Sequence, residues 1–315
     1  MEDDLAKVEA LFQEQVLSDV GLVAEIGRYI QQGGGKRIRP ALLLLGSRLC
    51  GYRGDRGVLL AAVVEFIHTA TLLHDDIIDE ATVRRGRRSV NSRWGNDITV
   101  LLGDFLYTKS MAMALSQENL PILRLLSDVT LRMIEGEILE IERNGDLEVT
   151  EADHLDIIRR KTADLFAACM RIGAILGAVG DEREKALHSY GLNLGICFQM
   201  VDDLLDFTAE EKTLGKPVAN DLREGKVTLP MIFLLRKAGR PGIEKIGTVL
   251  ADRGFGRVSR EEIVRLAREH GALDEAQALA ETYAEKARRD LAVFDRSPYR
   301  EALEVLPDFI LARDH

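Results

Sequence analysis

The sequence is poor in the residues that build sheets. Aromatic residues make up only 5% of its 315 residues, with a single tryptophan, and no series of stretches alternates apolar and polar side chains. That leaves little to specify a sandwich or a barrel. The three cysteines, Cys50, Cys169 and Cys197, lie far apart and form no CxxC spacing. Such a set excludes a disulfide framework and a cysteine zinc site, and reads as reduced thiols of a cytoplasmic protein. Basic excess is also lacking. The chain has 42 Lys and Arg against 52 Asp and Glu, a net charge of −10, so bulk electrostatics give no reason to expect nucleic-acid binding. No apolar run is expected to span a membrane, and Arg171 interrupts the stretch 165–179. The opening MEDDLAKVEA is too acidic for a signal peptide. No Ser/Gly linker, composition shift or fixed-period repeat divides the chain, so one domain over 1–315 is expected.

What the chain does contain is helical pattern. Helical spacing runs over 4–30, and Pro40 stands where the first turn of the next helix would begin. Further helices are expected at 58–80, 98–115, 120–142, 151–178 and 181–208, and again from about 229 to the end, with breaks near 239–241 and 252–257. Thr150 and Asp153 make a capping-box signal for the fourth of these. ATVRRGRRSVNSRWGN reads as a polar loop rich in arginine. The fold class is all-α.

LLHDDIIDE puts Asp75, Asp76 and Asp79 at the end of a strongly apolar helix, and FQMVDDLLDFT repeats the arrangement with Asp202, Asp203 and Asp206. Residues four apart share a helix face, so Asp75 projects with Asp79 and Asp202 with Asp206. Asp76 and Asp203 point about 100° away. Either pair alone is a like-charge repulsion, and a divalent cation between the carboxylates removes it. Oxygen-only ligands favour Mg²⁺ or Mn²⁺, which hold few protein carboxylates and keep sites for phosphate oxygens. Two such helices could clamp a diphosphate through several Mg²⁺ ions. Cations complete the pattern: Lys36, Arg37 and Arg39 in GGGKRIRP, Arg84, Arg85, Arg87 and Arg88 in RRGRR, then Lys161, Lys216 and Lys226. Arginine forks match phosphate oxygens. The glycines permit close approach to an anion, although the spacing is not that of a Walker loop.

In order, GGGKRIRP, FIHTATLLHDDIIDE, RRG, GDFLYT, KTADLF, FQMVDDLLDF and GKPVANDLREGKVTLP resemble the motifs of the trans-isoprenyl diphosphate synthases, and more narrowly the bacterial long-chain, octaprenyl-type enzymes. The resemblance covers nearly the whole chain, and no charged motif position departs from it. It implies many helices around a deep central cavity, a homodimer, and Mg²⁺-dependent condensation of isopentenyl diphosphate onto an allylic diphosphate, for quinone side chains. By the same resemblance Asp75, Asp79 and Asp202 bind Mg²⁺, with Asp206 helping through water. Arg84, Lys161, Thr162, Gln199, Lys216 and Lys226 hold the allylic diphosphate, and Lys36, Arg39, His68 and Arg85 hold isopentenyl diphosphate. Loose membrane association would serve product release. Short-chain enzymes of this kind carry a bulky aromatic near the positions of Ala70 and Thr71. Both residues are small here, which implies an open floor and a long product, stopped deeper by Met111, Leu115 or Leu126. From Asp75 back to Val63 is about 18 Å of helix.

Four alternatives stand beside this reading. A shorter-chain synthase differs only in the floor. A terpene cyclase needs no second diphosphate site, and GGGKRIRP with His68 argues for two. A non-catalytic partner subunit should have eroded aspartates. A di-iron carboxylate bundle would use Glu65-x-x-His68 and Glu151-x-x-His154, but the second pair falls in a polar first turn, where exposure is expected.

Overall fold

Twelve of the sixteen residues from Val58 to Leu73 are apolar, and a helix of that composition must be covered on most of its surface. In the computed structural model, which describes residues 2–208 and 219–313, it is. The helices, in chain order, are α1 (Glu2–Val16), α2 (Gly21–Gln32), α3 (Ile38–Leu49), α4 (Arg56–Ile78), α5 (Val90–Trp94), α6 (Asn96–Leu115), α7 (Leu120–Arg143), α8 (Glu151–Ile158), α9 (Asp164–Leu176) and α10 (Asp181–Thr208). They continue with α11 (Asn220–Glu224), α12 (Leu229–Lys237), α13 (Gly239–Asp252), α14 (Arg260–Glu269), α15 (Ala272–Asp290) and α16 (Pro298–Leu311).

The chain groups into two compact units. The first comprises Met1–Thr130, Ala168–His188 and Val293–Arg300. Its centre is α4, packed by α1, α3 and α6. Leu42, Leu43, Leu60, Val63, Phe66 and Ile67 are fully enclosed, each side chain contributing roughly 1.5–3 kcal/mol of burial. Phe12 of α1 lies 4.3 Å, centroid to centroid, from Phe66.

The second unit comprises Leu131–Ala167, Ser189–Ala292 and Glu301–His315. Within it α15 turns a stripe of alanines, Ala276, Ala280, Ala284 and Ala287, onto its neighbours with no exposure. Small side chains let helices approach closely, and α12 packs on this helix. Tyr190 anchors α10 to α16 by donating its hydroxyl to the Leu303 carbonyl at 2.7 Å.

Several expectations need correction. The helix expected over 4–30 breaks at Leu17–Val20. The arginine-rich loop folds as a two-residue hairpin, β1 (Val83–Arg84) against β2 (Arg87–Arg88), followed by α5. The helix expected over 151–178 contains a π turn at Arg159–Ala163 and ends at Leu176. Two helices, α4 and α6, are long and apolar enough to cross a membrane by length and composition, contrary to the sequence reading, and α4 is mostly buried in the protein.

Candidate active site

The first unit carries the GGGKRIRP cations. Gly34 and Arg37 both take left-handed backbone angles, φ 64° and 49°. Arg37 caps the start of α3 and is held by the carboxylates of Glu9 and Glu65. Burial opposes its charge, and these two acids more than restore it, so its pKa lies above the ordinary value. A side chain at Gly35 would come within 2.9 Å of the Arg85 guanidinium. The glycine therefore lets Arg85 close over this loop and donate to the Gly34 carbonyl.

His68 lies about two helical turns before Asp75 on α4. Burial depresses its pKa well below 6.5, and the charges of Arg39, Arg85, Arg84 and Arg37 push it the same way. The structure thus brings His68, Arg39, Arg85 and Arg84 into one electrostatic neighbourhood. His68 is neutral at physiological pH and can offer a ring N–H without adding charge. Lys36 is exposed at the rim of the loop.

Asp75 and Asp79 are half-buried at the C-terminal end of α4. Two carboxylates there sit beside the partial negative charge of the helix terminus, a combination that calls for a cation. Asp76, on another face of the helix, is buried. Burial raises its pKa, and Arg84, bonded to it at 2.5 Å, opposes the rise. Among the described residues, no three His, Cys, Asp or Glu side chains converge to hold an ion by themselves. Mg²⁺ suits such a place, because phosphate and water oxygens complete its shell.

In the second unit Lys161 and Thr162 sit on the π turn. A Cβ on Gly136 of α7 would lie 2.7 Å from the Arg160 Cβ and 3.0 Å from the Lys161 nitrogen, so only glycine lets α7 meet the turn. The Lys161 ammonium binds the carboxylates of Glu137, at 2.6 Å, and Glu140. Burial works against its charge, but Glu140 and Glu137 outweigh it and hold the pKa above the lysine norm. Lys226 lies 3.2 Å from Glu224 and 3.8 Å from Glu140. Sequence reasoning missed Glu137 and Glu140. Their spacing of three on one helix face was the available signal.

The second aspartate motif divides its labour. Asp202 is half-exposed and pairs with Arg313 at 2.7 Å. Asp206, one turn further along α10, is more deeply enclosed. It is buried, accepts from the Asp221 backbone N–H at 3.1 Å, and receives the Ala219 N–H on its own carbonyl at 2.6 Å. It therefore ties the end of α10 to the start of α11. Lys216 itself lies outside the described residues. Thr162 donates to the side-chain oxygen of Gln199 at 2.9 Å.

His154, expected to be exposed, is 5% exposed and bonds Asp203 at 2.9 Å. Glu151 pairs with Arg236. With Glu65 held by Arg37 as well, the di-iron reading loses its ligands. On the chain-length side, Ala70 and Leu126 are buried, Thr71 and Met111 half-buried. Leu115 is 63% exposed, which corrects its expected place as a deep stop.

Residues 20–260 match the model of the polyprenyl synthetase family. The chain belongs to that family. It is 41% identical over 311 residues to the octaprenyl diphosphate synthase of Escherichia coli, across 99% of this chain and 96% of that one. Among solved structures, a polyprenyl synthase from Caulobacter crescentus complexed with calcium and isoprenyl diphosphate superposes with TM-score 0.96 at 38% identity, covering 100% of this chain and 96% of the other. A decaprenyl diphosphate synthase from Rhodobacter capsulatus gives 0.94 at 37% identity, covering 100% and 97%. Membership in a family of helical synthases agrees with the all-α fold read from the sequence.

Proposed function

We propose that this polyprenyl synthetase condenses isopentenyl diphosphate stepwise onto an allylic diphosphate, such as farnesyl diphosphate, and releases a long all-trans polyprenyl diphosphate of octaprenyl type for quinone side chains. The observation that carries this reading is the 41% identity to an octaprenyl diphosphate synthase over 99% of the chain.

Residues 1–315 act as one synthase domain. Asp75, Asp79 and Asp202 would supply carboxylate oxygens to Mg²⁺, with Asp206 helping through water. Bound Mg²⁺ neutralises charge that develops on the departing diphosphate. Arg84, Lys161, Thr162, Gln199, Lys216 and Lys226 hold the allylic diphosphate. Glu137 and Glu140 keep Lys161 charged and close at hand, and Lys226 shares Glu140. Lys36, Arg39 and Arg85 bind isopentenyl diphosphate, and neutral His68 donates a hydrogen bond to it. The apolar wall of α4 below Asp75 keeps water from the allylic cation while the double bond of isopentenyl diphosphate attacks it. Ala70 and Thr71 leave room for the growing tail.

The enzyme works as a homodimer. Leu131, Ile134, Ile138 and Ile141 form one exposed apolar stripe on α7, a face that needs covering. Its free cysteines suit the cytoplasm, with loose membrane association at product release.

The test is incubation of the purified chain with radiolabelled isopentenyl diphosphate and farnesyl diphosphate, with Mg²⁺ or with EDTA. Mass spectrometry of the dephosphorylated alcohols should show a Mg²⁺-dependent octaprenyl-length product. A geranylgeranyl-length product would favour the shorter-chain reading, and no elongation at all would reject both.

A further inference from the structure

His154 is a buried histidine that the sequence reading left on the surface. Its ring nitrogen Nε2 lies 2.9 Å from one carboxylate oxygen of Asp203. The other oxygen of Asp203 accepts from the Gln199 amide at 3.0 Å. The carbonyl end of that amide accepts from the Thr162 hydroxyl at 2.9 Å. Four side chains from α8, the π turn and α10 thus form one chain of hydrogen bonds: His154 to Asp203, Gln199 to Asp203, Thr162 to Gln199. His154 and Asp203 are both buried, so neither can turn to water instead. His154 also lines a small cleft with Glu140, Lys226 and Thr228.

We propose that His154 is a positioning residue for the allylic diphosphate, acting through Asp203 to fix the orientation of the Gln199 amide. This rests on the synthase reading above. An amide has a donor end and an acceptor end, and a diphosphate accepts hydrogen bonds only from the donor end. The two carboxylate oxygens of Asp203 are engaged, one by His154 and the other by the Gln199 –NH₂, so the second N–H of the amide keeps one fixed direction. Without His154, one oxygen of Asp203 loses its partner in a buried place, and nothing on that side stops the carboxylate from rotating. The Gln199 –NH₂ then loses its fixed acceptor, and the Thr162–Gln199 bond loses its fixed geometry. The chain therefore converts a buried imidazole into a directional preference at two residues of the allylic site. Gly195 makes the geometry available, because a Cβ there would stand 2.5 Å from the Cα of Ala163 and hold α10 away from Thr162.

The test uses purified full-length enzyme and two binding measurements without turnover, in Mg²⁺: calorimetric titration with farnesyl S-thiolodiphosphate, which does not ionise readily, and with isopentenyl diphosphate. His154→Phe should weaken the thiolo analogue about tenfold, roughly 1.4 kcal/mol, and leave isopentenyl diphosphate within twofold. His154→Gln, whose amide N–H can still donate to Asp203, should restore most of the loss. Asp203→Asn gives an independent readout should His154→Phe fail to fold, and should show the same selectivity. Equal weakening of both ligands, no weakening of either, or no recovery in His154→Gln would overturn the proposal. Wild-type turnover is measured first. Its absence counts against the synthase reading, whereas an active wild type with unselective variants counts against His154 alone.

Discussion

Arg313, two residues beyond α16, closes its guanidinium on the Asp202 carboxylate at 2.7 Å and stacks over the Phe198 ring, 4.7 Å from its centroid. The second aspartate motif is thus tied to the chain terminus by charge and by a ring face.

Asp202→Ala should therefore do two separable things. Turnover should fall by about a thousandfold, roughly 4 kcal/mol of lost transition-state stabilisation, because a Mg²⁺ ligand is gone. Helicity by circular dichroism should not change. Amide exchange at the end of α16 should accelerate, because Arg313 loses its partner. Near-normal Mg²⁺-dependent turnover would reject the ligand role. Unchanged exchange would show that the ring contact alone holds the terminus.

The two diphosphates should separate kinetically. Lys36→Ala or Arg39→Ala should raise the KM for isopentenyl diphosphate at least several-fold more than that for the allylic primer. Lys226→Ala should lower kcat or raise the allylic KM instead. Steady-state kinetics with each substrate varied in turn decides it, and equal shifts in all three variants would contradict the division.

His68 predicts a pH dependence of stability. Its folded pKa lies well below 6.5, while the unfolded chain protonates near that value. Below pH 6.5 the unfolded state therefore binds more protons than the folded one, and stability falls as pH falls. His68→Gln should flatten this acid-side loss. Denaturation midpoints at pH 5.5 and 7.5 for both proteins measure it, and parallel shifts would show that other groups control the loss.

Gly195→Ala should place a methyl 2.5 Å from the Cα of Ala163. Such overpacking typically costs about 1–3 kcal/mol. The helices must part, so the Thr162–Gln199 bond should lengthen. A lower Tm with a raised allylic KM is expected, and a neutral variant would mean that α10 can shift without cost.

Ala70→Tyr, assayed with geranyl diphosphate as primer, should shorten the product to farnesyl or geranylgeranyl length while the first condensation survives. Ala70 is buried on α4, so the melting temperature is measured alongside the product alcohols. An active, folded variant with unchanged product length would move the floor elsewhere.

The helices were legible in the sequence because their signals are local. Apolar spacing placed α4, α6, α7 and α10 within about two residues, and the Thr150 capping box forms as written. The motif aspartates and cations were legible because like charges beside an apolar run need a reason. Periodicity says which way a side chain faces, however, and not what it meets. Asp206 shares a helix face with Asp202 yet is buried under a backbone N–H from Asp221. His154 sits in a polar turn yet is buried against Asp203, and Glu137 and Glu140 look like solvated surface until the π turn brings Lys161 to them. Leu115 follows the apolar pattern of α6 yet faces outward. In each case the deciding partner comes from a distant segment of the chain, and a buried charge or an uncovered leucine is settled only by the element packed, or not packed, against it.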